Sequence, residues 1–249
     1  MEPEAPASDL GRRLREAGGA ELAELVRGQL AEIGPAEACQ ALRNPFMDAA
    51  LVEALVTGAP SLLRSYEFRR EVAMHPRTPE MLALRLIPGL FWLDLARLGL
   101  DVRVPPLVRR AADLRLMERL PNLSVGERVA LARRADVAVL GHLRKDPTPR
   151  VIEAMLENPR LTEGILLPML ASDQVPAPVL AVVAANPRFG SRYPVRLAVA
   201  RNPRTPAALA MGLLPGLRKP DLGAVSSDPR LAPPVRQRAR LLLGETSGA

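Results

Sequence analysis

The sequence of 249 residues predicts an all-α protein, an α-solenoid-like stack of short helices with an internal tandem duplication. Three observations predict it. The apolar residues are Leu, Ala and Val with few aromatics. Proline recurs directly after Asn, Asp or His along the whole chain. A long segment occurs twice.

Composition sets the secondary structure first. Hydrophobic residues make up 48% of the chain but aromatics only 3%, with a single Trp92 and two tyrosines, Tyr66 and Tyr193. Leu and Ala favour helix, and the β-branched and aromatic runs that build strands are missing. The 26 prolines are the punctuation. Asn44-Pro45, His75-Pro76, Asp146-Pro147, Asn158-Pro159, Asn186-Pro187, Asn202-Pro203 and Asp228-Pro229 each mark a helix end. A residue before proline is pushed out of the α region, and Asn or Asp tolerates the left-handed one. In Thr78-Pro79 and Thr205-Pro206 the threonine is expected to cap the next helix, with proline in its first turn. Ser124-Val125-Gly126-Glu127 reads as a capping box.

The duplication fixes the organisation. Shifted by 127 residues, 59–116 aligns with 186–243 without a gap, and 25 of the 58 positions are identical. Chance does not produce that. Upstream, Pro35, Leu42, Asn44 and Pro45 align with Pro149, Leu156, Asn158 and Pro159 at an offset of 114, so the second copy carries 13 extra residues. Residues 1–33 are then an N-terminal helical cap, with helix over 8–32, and 34–120 are the first half. Residues 121–147 are a connecting helix pair, 148–243 the second half and 244–249 a loose tail. No Gly- or Ser-rich linker separates the halves, so 1–249 is expected to be a single continuous domain. Helix ends recur every 12 to 16 residues, as from Asp146 to Asn158 and from Asn186 to Asn202. Helices that short must stack on neighbours to be stable.

Tyr66-x-x-Arg69-x-x-Val72-Ala73-x-His75-Pro76-Arg77-Thr78-Pro79-x-x-Leu82 and Arg196-x-x-Val199-Ala200-x-Asn202-Pro203-x-Thr205-Pro206-x-x-Leu209 resemble the units of leucine-rich repeat variant proteins. More loosely they resemble HEAT-like repeats. Asp228-Pro229-x-x-x-Pro233-x-Val235-Arg236 is similar to the Asp-Pro and Val-Arg element of the same families. The likeness covers about two thirds of the chain in scattered units. It implies stacked short helices and protein or nucleic-acid binding, not a fixed chemistry. The cysteine cluster of some variant-repeat proteins has no counterpart in a chain whose one cysteine is Cys39, and the spacing departs from a regular period.

Residues able to do chemistry are few. His75 and His142 are the two histidines, and His75 fills the slot of Asn202, which points to ending a helix. Cys39 lies in a helical Ala-Cys-Gln-Ala run, the setting of a small buried apolar residue. No phosphate-binding, dinucleotide, zinc-hydrolase or nucleophile-elbow motif occurs, and no metal site, cofactor or small-molecule substrate is read. Asp94 and Asp101 recur as Asp221 and Asp228 near helix starts and corners, where carboxylates serve backbone amides. The start Met1-Glu2-Pro3-Glu4 does not look like a signal peptide, and no apolar run reaches about 18 residues, so a cytoplasmic protein is expected.

Charge and asymmetry leave binding. The net charge is +7, and only Lys145 and Lys219 among the 34 basic residues are lysine. Arg103, Arg109, Arg230 and Arg236 adjoin aspartates and are expected to form a ladder between repeats. Arg77, Arg160, Arg188, Arg204 and Arg230 follow proline at corners and are expected on the surface. Where the first copy has Phe91-Trp92, the second has Arg218-Lys219, an apolar anchor facing a doubly basic one. The expected function is a non-enzymatic helical-repeat scaffold that binds another protein. The alternative is binding to a nucleic-acid duplex backbone through the arginine corners, since aromatic poverty disfavours base stacking. A base-modifying enzyme built on Trp92 and Asp94 is the remote third reading.

Overall fold

A computed structural model describes residues 8–244. Among them are seventeen α-helices, four short 3-10 turns and no strand, so the chain is all-helical. The acidic start at residues 1–4 and residues 245–249 of the expected tail lie outside the described residues. The chain divides into two compact units, Met1–Arg119 and Leu120–Ala249. No helix among the described residues is long and apolar enough to cross a membrane.

The first unit holds α1 (Asp9–Glu16), α2 (Gly19–Gly28), α3 (Pro35–Leu42), α4 (Ala49–Gly58), α5 (Tyr66–Met74), α6 (Glu80–Leu86), α7 (Trp92–Leu100) and α8 (Pro106–Arg119). Here α1 packs on α3, α3 on α5 and α2 on α4; α6 and α7 both pack on α8. The second unit holds α9 (Val125–Ala132), α10 (Val137–Leu143), α11 (Pro149–Glu157), α12 (Glu163–Leu170), α13 (Ala177–Ala185), α14 (Tyr193–Ala200), α15 (Ala207–Leu213), α16 (Lys219–Ser227) and α17 (Pro233–Leu243). There α9 packs on α11, α11 on α13, α12 on α14, α15 on α17 and α16 on α17. Helices of seven to fourteen residues are marginal alone. Each gains its stability by laying an aliphatic face on a neighbouring helix, one or two places away in the chain. At the end of the second unit Ala200, Leu214, Leu222, Val225, Val235 and Ala239 form one such buried cluster.

The corners fold as local chemistry dictates, with two corrections. His75, Asn158, Asn186 and Asp228 end their helices in extended backbone, with φ near −70° and ψ between 108° and 128°. None uses the left-handed region; the one positive φ among the described residues is at Gly244. Steric pressure from the following proline is enough to stop the helix, and it favours the β region. Thr78 and Thr205 do not cap the next helix, because Pro79 and Pro206 themselves occupy the N-cap position. Both threonines are buried, and each hydroxyl donates backward at 2.6 Å, to the Val72 and Val199 carbonyls. They close the end of the preceding helix instead. Ser124 and Glu127 do form the reciprocal capping box, and Asp48, Ser65 and Asp136 cap α4, α5 and α10.

Candidate binding surfaces

The corners are built by buried asparagines. Asn44 donates from Nδ2 to the Leu14 and Ala17 carbonyls, both at 2.9 Å, and accepts from the Phe46 amide. Asn158 does the same to Ala132 and Ala135 at 2.8 and 3.0 Å, and accepts from Arg160 N at 2.8 Å. Asn202 repeats the pattern on Leu170 and Ser172 and accepts from Arg204 N. One carboxamide therefore closes its own turn and caps orphan carbonyls at the end of the helix two places earlier. His75 sits at the slot of Asn202: its Nδ1 accepts from the Arg77 amide at 3.3 Å. Burial first, then the nearby Arg77 guanidinium, holds its pKa below the usual value, while a bond to the Leu42 backbone acts the other way. The residue works as part of a corner. Cys39 is buried and unpaired, and burial pushes its thiol pKa up to about 12, the state of an inert thiol.

The corner arginines are all exposed, and most have work to do within their own unit. Arg77 donates to the Met47 carbonyl at 3.2 Å. Arg188 donates to the carbonyls of Asn158, Pro159 and Leu161, on the corner that carries Arg160. Arg204 donates to the Asp173 carbonyl, and Arg230 approaches the Asp173 carboxylate at 4.0 Å. Only Arg160 has no side-chain partner among the described residues. At Arg103 and Arg230, two of the four arginines expected in a ladder between repeats, the structure has clasps within a corner. Arg103 and Arg230 each hold the aspartate two residues back through Nε and Nη2. Those guanidiniums are the main cause of the lowered pKa of Asp101 and Asp228. Fork geometry suits a carboxylate that is already adjacent, so no neighbouring layer is needed.

The two aligned segments differ around a shared tyrosine latch that the sequence reading missed. The Tyr66 hydroxyl donates to the Asp94 carboxylate and accepts from the Phe91 amide at 2.9 Å. The Tyr193 hydroxyl donates to Asp221 and accepts from the Arg218 amide at 3.0 Å. Asp94 and Asp221 thus tie one layer to the next rather than serving backbone amides, because a hydroxyl from the earlier layer faces them. The signal was available: the two tyrosines of the chain align with each other, each 28 residues before its aspartate. On the latch the aligned segments diverge. The Phe91 ring covers Tyr66 with centroids 4.3 Å apart, whereas the Arg218 guanidinium covers Tyr193 at 4.7 Å. Phe91 stays 62% exposed, Trp92 is half-buried, and Lys219 is exposed at the start of α16.

Three residues before Phe91, Pro88 helps to line a groove of about 370 Å³ between α6 and α8, together with Leu84, Ile87, Ala111, Leu114, Arg115 and Glu118. Met81 lies one turn before Leu84, and Leu107 lies four residues before Ala111, on the same helix faces. Met81, Leu107 and Leu114 are 71%, 52% and 60% exposed. At the aligned positions the second unit has Ala208, Pro234, Arg238 and Leu241 for Met81, Leu107, Ala111 and Leu114. The candidate residues therefore do not form one surface. Arg77, Phe91 and Trp92 belong to the first unit. In the second, Arg160 with Arg188, Arg204 with Arg230, and Arg218 with Lys219 fall into three groups. Neither a family model, nor a curated protein, nor a solved structure matches the chain.

Proposed function

We propose that the chain is a non-enzymatic scaffold that binds another protein through the Phe91 end of the α6–α8 groove. The observation that carries this reading is the group of large apolar side chains left in solvent there, Phe91, Met81, Leu107 and Leu114. Large apolar side chains gathered on the exposed side of two packed helices mark a docking site. Phe91 is held against a tyrosine that is itself anchored at both sides of its hydroxyl, so little side-chain entropy is left to lose on binding. In this reading the chain is a solenoid-like stack made by tandem duplication, akin to leucine-rich repeat variant and HEAT-like proteins. One copy turned its outer face apolar and the other kept it basic. The setting proposed is the cytoplasm, in keeping with a single unpaired cysteine.

A photoreactive phenylalanine analogue at position 91 tests this in lysate of the source cell. A discrete protein adduct, competed by excess unlabelled chain and lost in Leu114→Asp, supports the reading. An adduct no different from that formed at position 218 overturns it.

Duplex binding is the second reading, favoured by the net charge of +7 and by the free guanidinium of Arg160. It is weaker because Arg77, Arg188, Arg204 and Arg230 use their guanidiniums on carbonyls and carboxylates of the protein itself. Titration of a generic 20-base-pair duplex across a salt series decides it, since phosphate neutralisation gives a steep log-linear loss of affinity.

A further inference from the structure

The second unit has a cleft of about 400 Å³ between the turn that follows α10 and the turn that follows α12. This is within the about 300–1,000 Å³ typical of ligand sites. Its apolar lining is Met169, Val175 and Val179, all buried, with Pro147, Pro168 and Pro176 as walls. Arg144 and Lys145 line the same cleft, Arg144 half-buried and Lys145 exposed. Among the described residues neither cation has an ion-pair or hydrogen-bonded side-chain partner.

The neighbouring acid does not neutralise them. Asp146 Oδ2 lies 2.7 Å from Arg128 Nε, and its Oδ1 accepts from the Thr148 amide at 2.9 Å. Both oxygens are engaged, and two positive charges are left beside an apolar floor. By contrast, Arg188, Arg204 and Arg230 are each spent on a carbonyl or a carboxylate. Two solvated positive charges at the rim of an apolar cleft are complementary to a ligand of one particular kind.

We propose that this cleft binds an acidic peptide segment of a partner protein, with a Leu- or Ile-sized side chain on the Met169–Val179 floor and flanking carboxylates on Arg144 and Lys145. The proposal deepens the protein-binding reading and rests on it, but uses a different surface from Phe91. Methionine in the floor adapts to aliphatic side chains of different shape. Prolines in the walls carry no N–H and hold fixed φ, so the cleft walls change little on binding. A nucleic-acid strand fits less well, because the lining has no aromatic ring for base stacking and a phosphate chain leaves the apolar floor unfilled.

The test uses the full chain and a fluorescein-labelled 15-residue peptide rich in Glu and Asp with Leu at every third or fourth position, read by fluorescence anisotropy. Binding is expected to weaken at least tenfold in the Arg144→Glu/Lys145→Glu variant and at least tenfold when every Leu of the peptide becomes Ser. A Lys-rich peptide with the same Leu spacing is expected to bind that variant better than the wild type, which separates charge complementarity from misfolding. The proposal is overturned if the acidic Leu peptide does not bind the wild type, or if the charge reversal or the Leu-to-Ser change leaves affinity unaltered. It is also overturned if a 20-base-pair duplex binds more tightly and loses affinity in the same variant. Crosslinking at position 91 in the Arg144→Glu/Lys145→Glu variant reports on the Phe91 surface independently, so the two readings fail separately.

Discussion

Replacing Asn158 with alanine removes two donated bonds, to the Ala132 and Ala135 carbonyls, and one accepted from the Arg160 amide. The side chain is completely buried, so water does not take its place. At about 1 kcal/mol net for each bond the loss is about 3 kcal/mol, and the stranded helix-end carbonyls raise it toward about 5 kcal/mol. Urea unfolding followed by far-ultraviolet circular dichroism reads this directly. With a slope of about 1–3 kcal/mol per molar, the transition of the second unit moves down by at least about 1 M. Hydrogen exchange localises the loss to the amides of α9 and α11. Asn158→Asp is the sharper control: it keeps the acceptor for Arg160 N but turns an anionic oxygen toward two carbonyls. At neutral pH it is expected to cost at least as much as alanine. Burial raises the folded pKa of that carboxyl above its unfolded value, so this variant regains stability as pH falls and the group protonates. A loss below about 1 kcal/mol for Asn158→Ala, or a wild-type-like Asn158→Asp at neutral pH, refutes the idea that these carboxamides hold successive layers together.

Four further outcomes follow from the same geometry. His75 has a folded pKa below its usual value of 6.5. The unfolded chain therefore binds the proton more readily, and stability is lost as pH falls below about 6.5, with a slope of at most about 1.4 kcal/mol per pH unit. His75→Asn is expected to remove that component when urea midpoints at pH 7 and pH 5 are compared. Tyr66→Phe and Tyr193→Phe each strip the hydroxyl that bridges an aspartate and a backbone amide. Each is expected to cost about 1–3 kcal/mol by thermal or urea unfolding. Gly190→Ala would place a Cβ 2.1 Å from the Ala184 carbonyl oxygen, a backbone atom that cannot swing away, so it is expected to lower the melting temperature. Gly223→Ala meets open space inside α16 and is expected to raise stability by up to about 1 kcal/mol, the aligned residue in the earlier segment being Ala96.

Much of the local structure was legible because its causes are local. The pre-proline residue is sterically confined whatever surrounds it, so Asn158-Pro159 and Asp228-Pro229 ended helices as expected. Ser124 and Glu127 are three residues apart, and their capping box needs nothing else. The errors arose where a nearby group competed for the same atom. Thr78 was free to cap forward until Pro79 took the N-cap position, leaving the Val72 carbonyl as the available acceptor. Asp94 had the position of an amide cap, but a hydroxyl 28 residues earlier reached it. Links between successive layers recur at similar separations, 30 residues for Asn44 to Leu14 and for Arg188 to Asn158. A search for polar pairs at that interval could have found them.

Sequence by itself determined an all-helical chain, the places where its helices stop, and a pair of aligned segments whose differences mark Phe91 and Arg218. The tertiary structure decided which charges are spent. Arg160 and Arg188 are indistinguishable in sequence, each the third residue of Asn-Pro-Arg. Arg188 is bonded to three carbonyls of the preceding corner, while Arg160 has no side-chain partner among the described residues. Arg144 and Lys145 passed unnoticed beside Asp146, whose carboxylate belongs to Arg128, eighteen residues earlier. A guanidinium is neutralised by whichever oxygen comes within about 3 Å of it. That is a property of how layers stack, and no local pattern records it.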